Sequence, residues 1–257
     1  MELLAGKSGL VVGAANHRSL AWHIAQAAAE SGARVVLTYQ NERLGENVRK
    51  LAGGLPGALT FPCDVTAEDD LGRLEGFLGD ELAGLDWLVH SVAWARREEL
   101  EGEFLGTSRE GFREAHDVSA YSLVALARLA RPLMRSRGGG SILTLTFAGS
   151  ERVFPGYNVM GTAKASLEAA VRYLAHDLGK DNIRVNAISA GPVRTLAASG
   201  VRGLVRMLEL YRERAPLRRS PDATEVADAA LFLLSPMSRG VTGEVLHVDG
   251  GYHVTGV

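Results

Sequence analysis

Short runs rich in valine, leucine and isoleucine alternate along this chain with longer stretches whose apolar residues return every three or four positions. Leu10-Val11-Val12 begins the series as a strand. Over 19–31, Leu20, Ile24, Ala27 and Ala28 fall at helical spacing, and Gly32 follows as a residue that accepts the left-handed conformation of a helix end. The same alternation predicts a strand at 35–39, a polar helix at 42–51 stopped by Gly53-Gly54, a strand at 58–63, a helix at about 67–82 and a strand at 87–90. A long helix is expected over 108–136, with Pro132 able to kink or divide it. Gly138-Gly139-Gly140 reads as a turn, before a strand at 141–146, a helix at about 158–179 and a strand at 183–188. The stretch 191–215 starts with Gly-Pro and becomes a short amphipathic segment. A helix at 223–234 and a last strand at 244–248 close the pattern.

Strand-helix alternation of this kind predicts parallel strands joined by right-handed crossovers, with helices on both faces of the sheet. The expectation is one doubly wound α/β domain over 1–257, with about seven strands and no linker. Ligands on such sheets bind beyond the carboxyl ends of the strands, so the loops there are where chemistry is sought. Composition narrows the partners. Lys plus Arg is 28 and Asp plus Glu is 30, so the basic excess of a nucleic-acid-binding protein is missing. No apolar run reaches the ~18 residues of a membrane span. The start lacks a basic stretch followed by an apolar one, so no signal peptide is expected. One cysteine, Cys63, makes no intramolecular disulfide and suits a reducing compartment such as the cytoplasm.

The loop after the first strand reads Gly13-Ala14-Ala15-Asn16-His17-Arg18-Ser19-Leu20-Ala21. A buried strand running into a helix start presents free N–H groups and the positive end of the helix dipole, which favour a phosphate. The G-x-G-x-x-G fingerprint is absent. Ser19 can cap the helix or offer a hydroxyl to a pyrophosphate, and a plain strand-to-helix turn fits equally well. After the second strand stands Gln40, where a fold selecting NAD usually has an acid for the ribose hydroxyls. After the third come Asp64, an acceptor for an adenine amino group or a residue opening the next helix, and Val65, an apolar wall. The fourth loop, His90-Ser91-Val92-Ala93-Trp94-Ala95, is small enough for a flat ligand to lie on its backbone, and His90 reads as a core histidine.

Tyr157 and Lys164 are seven residues apart, which on a helix is about 700° of rotation and ~10.5 Å of rise, so both would leave nearly one face. A phenol and an ammonium there make an acid-base pair. Lys164 is one of four lysines against 24 arginines, and it stands among Gly161, Ala163 and Ala165. Cys63 reads as a buried thiol. His17, His116, His176, His247 and His253 lack metal-ligand spacing, so no metal is expected. Asp249-Gly250-Gly251 reads as a turn and the basic run 212–219 as a solvated face.

In this order the pieces resemble the short-chain dehydrogenase/reductase superfamily, and within it the bacterial enoyl-[acyl-carrier-protein] reductases of fatty-acid synthesis. The resemblance runs from about Leu3 to Tyr252. It is carried by Gly13 with Ser19 and Ala21, by 90–95, by Tyr157-Asn158-Val159-Met160-Gly161 with Lys164, by Gly191-Pro192-Val193-Arg194-Thr195-Leu196-Ala197, and by the ending 243–251. Ordinary carbonyl reductases of the superfamily have Tyr four residues before the Lys. Met160 stands there in this chain, and the phenol is three residues earlier.

The resemblance implies a Rossmann-type fold, a homotetramer, NADH as cofactor and a trans-2-enoyl thioester on acyl carrier protein as substrate. Hydride would pass to the β carbon, with Tyr157 hydrogen-bonding the thioester oxygen and Lys164 holding the nicotinamide ribose. Gly13, Ser19, Leu20, Gln40, Asp64, Val65, Val92, Val193, Arg194, Thr195, Leu196 and Ala197 match the family's cofactor contacts, and Ala95 a substrate contact. Many members carry a second tyrosine ten residues before the catalytic one, where this chain has Phe147, read here as a wall of the acyl site. Residues 193–212, with Leu196, Val201, Leu204, Val205 and Leu208 at near-helical spacing, are expected to cover the acyl chain as a lid. Two alternatives are a short-chain reductase of a ketone or alcohol, which Met160 opposes, and a non-catalytic dinucleotide sensor, which need not keep both Tyr157 and Lys164.

Overall fold

The computed structural model describes residues 2–193 and 204–255. Seven parallel strands form one sheet: β1 (Ser8–Val12), β2 (Arg34–Tyr39), β3 (Leu59–Pro62), β4 (Trp87–His90), β5 (Gly140–Thr146), β6 (Ile183–Ala190) and β7 (Val245–Val248). Their order is β3-β2-β1-β4-β5-β6-β7. The helices of the described residues are α1 (Leu20–Glu30), α2 (Glu42–Ala52), α3 (Glu68–Glu81), α4 (Arg109–His116), α5 (Ser122–Ser136), α6 (Val159–Leu178), α7 (Leu204–Arg214) and α8 (Ala223–Leu234).

Alternate strand residues feed two separate cores. Leu10, Val12, Leu88 and Ile142 pack with α3, α5 and α6 on one face. Val11, Val89, Leu143 and Ile188 pack with α1, α2 and α8 on the other. Burial on both sides explains why the strands read as continuous apolar runs. Truncating a fully buried residue such as Leu88 to Ala costs about 2–5 kcal/mol.

β1 pairs with β2 on one side and β4 on the other, with Val12 opposite His90. The chain winds outward in both directions from this pair. The loops after β1 and β4 therefore diverge and leave a crevice over the strand ends.

Two expectations need correction. The stretch 108–136 is not one helix divided at Pro132. It breaks at a π turn, Asp117–Tyr121, and α5 runs through Pro132. The break lies where Ser119 and Ser122 are hydrogen-bonded to Trp94 and His90 of the β4 strand and loop. Wide turns of this kind accommodate such tertiary demands. Within the segment 193–212, Val205 is 68% exposed and Leu208 is buried. Of the proposed lid, residues 194–203 lie outside the described residues. Finally, α3 is opened by Ala67 and not by Asp64. Among the described residues no helix is long and apolar enough to cross a membrane.

Candidate active site

A cleft of about 1680 Å³ lies over the carboxyl ends of the strands. Gly13, Ser19, Leu20, Gln40, Asp64, Val65, Val92, Ala95, Phe147, Tyr157, Lys164 and Val193 all line it. Arg194, Thr195, Leu196 and Ala197 lie outside the described residues. The fold thus brings together side chains spread over some 180 positions of sequence.

At its first wall, Gly13 has φ +108°, and a Cβ there would lie 2.1 Å from the Ser91 carbonyl oxygen. Any side chain would push the β1 and β4 loops apart. Ser19 caps α1, accepting from the Trp22 N–H at 3.3 Å and donating to the Asn16 carbonyl at 2.7 Å. No acid stands in the first turn of α1, so the positive end of its dipole is unopposed. A bare backbone and a free helix start are what a pyrophosphate needs.

At the next strand ends, Gln40 Nε2 donates to Asp64 Oδ2 at 2.9 Å, and Thr66 donates to Asp64 Oδ1 from both its N–H and its hydroxyl. Burial works against the Asp64 charge, but the Gln40 and Thr66 hydrogen bonds outweigh it and hold the carboxyl below its ordinary value. Neighbouring Cys63 is buried, and burial pushes its thiol up to about 12, which leaves it unreactive. His90 is fully buried. Its Nδ1 meets the Thr144 hydroxyl and its Nε2 the Ser122 hydroxyl, both at 2.8 Å. The Ser122 proton goes to the Val118 carbonyl, so His90 Nε2 donates to Ser122, and in the neutral ring that burial favours Nδ1 accepts from the Thr144 hydroxyl. Burial and then Lys164 lower it to about 3.

Tyr157 and Lys164 reach the cleft differently from the expected shared helix face. Tyr157 precedes α6, and Asn158 between them has φ +36°. The chain turns there, with the Tyr157 N–H on the Phe154 carbonyl and the Met160 N–H on the Tyr157 carbonyl. The Phe147 ring meets the Tyr157 ring edge-on at 5.1 Å between centroids. A Cβ at Gly149 would fall 2.4 Å from Tyr157 Cδ1, so the phenol ring lies directly over that glycine. Burial, then the Glu168 charge, raises the phenol above its ordinary value and keeps it a donor at neutral pH. Lys164 is 6% exposed, and its Nζ donates to the Leu145 carbonyl at 2.8 Å. Burial lowers it to about 8, with Glu168 acting in the opposite direction.

Four residues here were not among those singled out from the sequence. Ser119 of the π turn holds the Trp94 backbone, accepting its N–H at 2.9 Å. Thr146 donates to buried Glu168 at 2.6 Å. Met207 of α7 lines the cleft where Val205 was expected to face inward. Glu168 carried a signal that went unused: it lies one helical turn beyond Lys164. Among the described residues no group of His, Cys, Asp or Glu could hold a metal.

The chain matches the family described as enoyl-(acyl carrier protein) reductase over residues 13–253. It is 52% identical over 258 residues to the enoyl-[acyl-carrier-protein] reductase [NADH] FabI of Bacillus cereus, covering all of both chains. It is 51% identical over 254 residues to the corresponding protein of Bacillus subtilis, covering 98% of each. Among solved structures it resembles the Anaplasma phagocytophilum enoyl-(acyl-carrier-protein) reductase in complex with NAD, at TM-score 0.95 and 49% identity over 99% of this chain and 97% of that one. The Bacillus cereus reductase with NADP+ and indole naphthyridinone superposes at TM-score 0.97 and 52% identity, all of both chains being covered.

Proposed function

The chain belongs to the enoyl-(acyl carrier protein) reductase family, and from that premise we propose how its own residues divide the reaction. It reduces trans-2-enoyl thioesters to saturated acyl thioesters, the reductive step of fatty-acid elongation. NADH, when bound, supplies the hydride that arrives at the β carbon.

Gly13, Ser19 and Leu20 take the pyrophosphate at the start of α1. Gln40, Asp64 and Val65 take the adenosine, and Val92, Val193 and Lys164 the nicotinamide half; Arg194, Thr195, Leu196 and Ala197 share in this by resemblance. Lys164 holds the ribose hydroxyls. Tyr157 donates its O–H to the thioester oxygen as negative charge gathers there, a side-chain oxyanion donor. Because the phenol stays protonated and its ring is fixed by Phe147 and Gly149, this donor is oriented before charge develops. Phe147 has no hydroxyl, so it supplies an apolar wall and water supplies the α proton. Ala95 meets the substrate through its backbone.

The observation that carries the reading is the convergence of Tyr157 and Lys164 on one cleft, with Met160 where a ketone reductase places its phenol. We place the protein in the cytoplasm, as a homotetramer acting on substrate carried by acyl carrier protein. Steady-state assay with NADH separates the readings. Crotonyl thioester should be turned over and acetoacetyl thioester left untouched, and the reverse outcome would make the protein a ketone reductase.

A further inference from the structure

Holding ribose hydroxyls requires Lys164 to stay an ammonium, and burial opposes that charge. One turn further along α6, Glu168 is as buried as Lys164, each 6% exposed. The two side chains are fastened to adjacent residues of one strand. Lys164 Nζ donates to the Leu145 carbonyl at 2.8 Å, and Glu168 Oε1 accepts the Thr146 hydroxyl at 2.6 Å. Leu145 and Thr146 end β5 and form the cleft wall leading into Phe147. We infer that Glu168 is a positioning residue for Lys164: its carboxylate keeps the neighbouring ammonium charged in a site poor in water and, through Thr146, fixes the strand end to which Lys164 is bonded. This rests on the reading of Lys164 as the residue that holds the ribose.

The surroundings leave Glu168 as the source of that effect. β4 faces Lys164 with His90, which burial keeps neutral, and the turn before α6 offers Tyr157, whose phenol stays protonated. β5 has no ionisable side chain, and on β6 Arg184 lies at the far end against Ser235 and Ser238. On α4, Glu114 is spent on Arg96 and Glu110 on Arg113. α5 turns Arg128 to Tyr121 and Arg131 to Asp181. In the π turn Asp117 lies on the cleft wall, but its charge acts on Arg113 and not on Lys164. Burial brings Lys164 down to about 8 even with Glu168 beside it, so loss of the carboxylate should carry its titration into the neutral range.

The test is direct titration of Lys164 in ligand-free protein. With four lysines, a spectrum of [13C]lysine-labelled chain is assignable, Lys164 being the signal lost in Lys164→Met. Glu168→Gln keeps size and the Thr146 hydrogen bond but removes the charge. Its Lys164 midpoint should fall by about one pH unit or more, and NADH should bind about fivefold more weakly at pH 8 with almost no deficit at pH 6. Glu168→Asp keeps the charge, and its midpoint should stay close to the wild-type value even if the Gln variant folds poorly. An unchanged midpoint in Glu168→Gln, or an equal fall in both variants, overturns the inference. A shifted midpoint with NADH affinity indifferent to it would support Glu168 and overturn the ribose role of Lys164.

Discussion

In the proposed reaction the Tyr157 phenol acts as an uncharged donor. Its phenol, shielded by the Phe147 and Gly149 contacts, stays protonated well beyond neutral pH and so can donate to an oxygen that becomes negative during reaction. Tyr157→Phe removes that donor while keeping the ring. It should lower kcat by about 10²–10³ and leave NADH affinity nearly as it was, because the charge exists mainly in the transition state. Turnover within threefold of wild type would remove the assignment. His90 shows the opposite use of burial, as structure. The unfolded chain protonates this ring near 6.5, whereas the folded one keeps it neutral down to about 3. Between those values the unfolded state binds the extra proton, so stability falls as pH falls. Urea unfolding should show this residue costing on the order of 1–2 kcal/mol between pH 6.5 and 5. A His90→Asn variant should lack that part of the acid sensitivity, and identical slopes for the two proteins would contradict it.

At the scale of elements, α2 decides between cofactors. Asn41 caps it by accepting the Leu44 N–H, which places the first turn next to Gln40 at the end of β2. A 2′-phosphate there needs a cation. The nearest candidates are poorly suited. Arg49 is bound to Glu42 at 2.8 Å and to the Tyr39 hydroxyl at 2.8 Å. Arg43 points outward from the exposed first turn. NADH should therefore give the higher kcat/KM. The comparison is worth making with both cofactors, since the similar Bacillus cereus structure contains NADP+. An Arg43 that swings onto the phosphate would reverse the ratio.

Over the whole molecule, two features fit association with other copies. β7 ends the sheet with an open edge and half-buried side chains along its length. Exposed apolar rings stand on α4, the π turn and α6, with Phe112 42%, Tyr121 45% and Tyr173 76% accessible. Open strand edges and large exposed apolar groups are features that partner subunits cover. Light scattering should give four times the chain mass of 27.4 kDa. A stable mass of one chain would refute the tetramer.

The alternation of buried strands and amphipathic helices is legible in the chain alone, because both periodicities are local and the central strands are apolar on both faces. Trp87–His90 and Ala223–Leu234 are found where the pattern put them. The sequence also supplied the chemistry of the candidate site, since Tyr157, Lys164 and Gly13 are distinctive in kind and spacing. Tertiary structure decided what depends on contacts between distant segments. The π turn at 117–121 answers hydrogen bonds to β4 and its loop that no helical period encodes. Tyr157 leaves the helix because Asn158 takes a positive φ, a choice invisible to periodicity. Thr146 and Glu168, 22 positions apart, meet because β5 packs beneath α6. Burial, and with it the direction of every shift at Tyr157, Lys164 and His90, exists once the two layers close over the sheet, since desolvation is a property of the assembled core and of no residue alone.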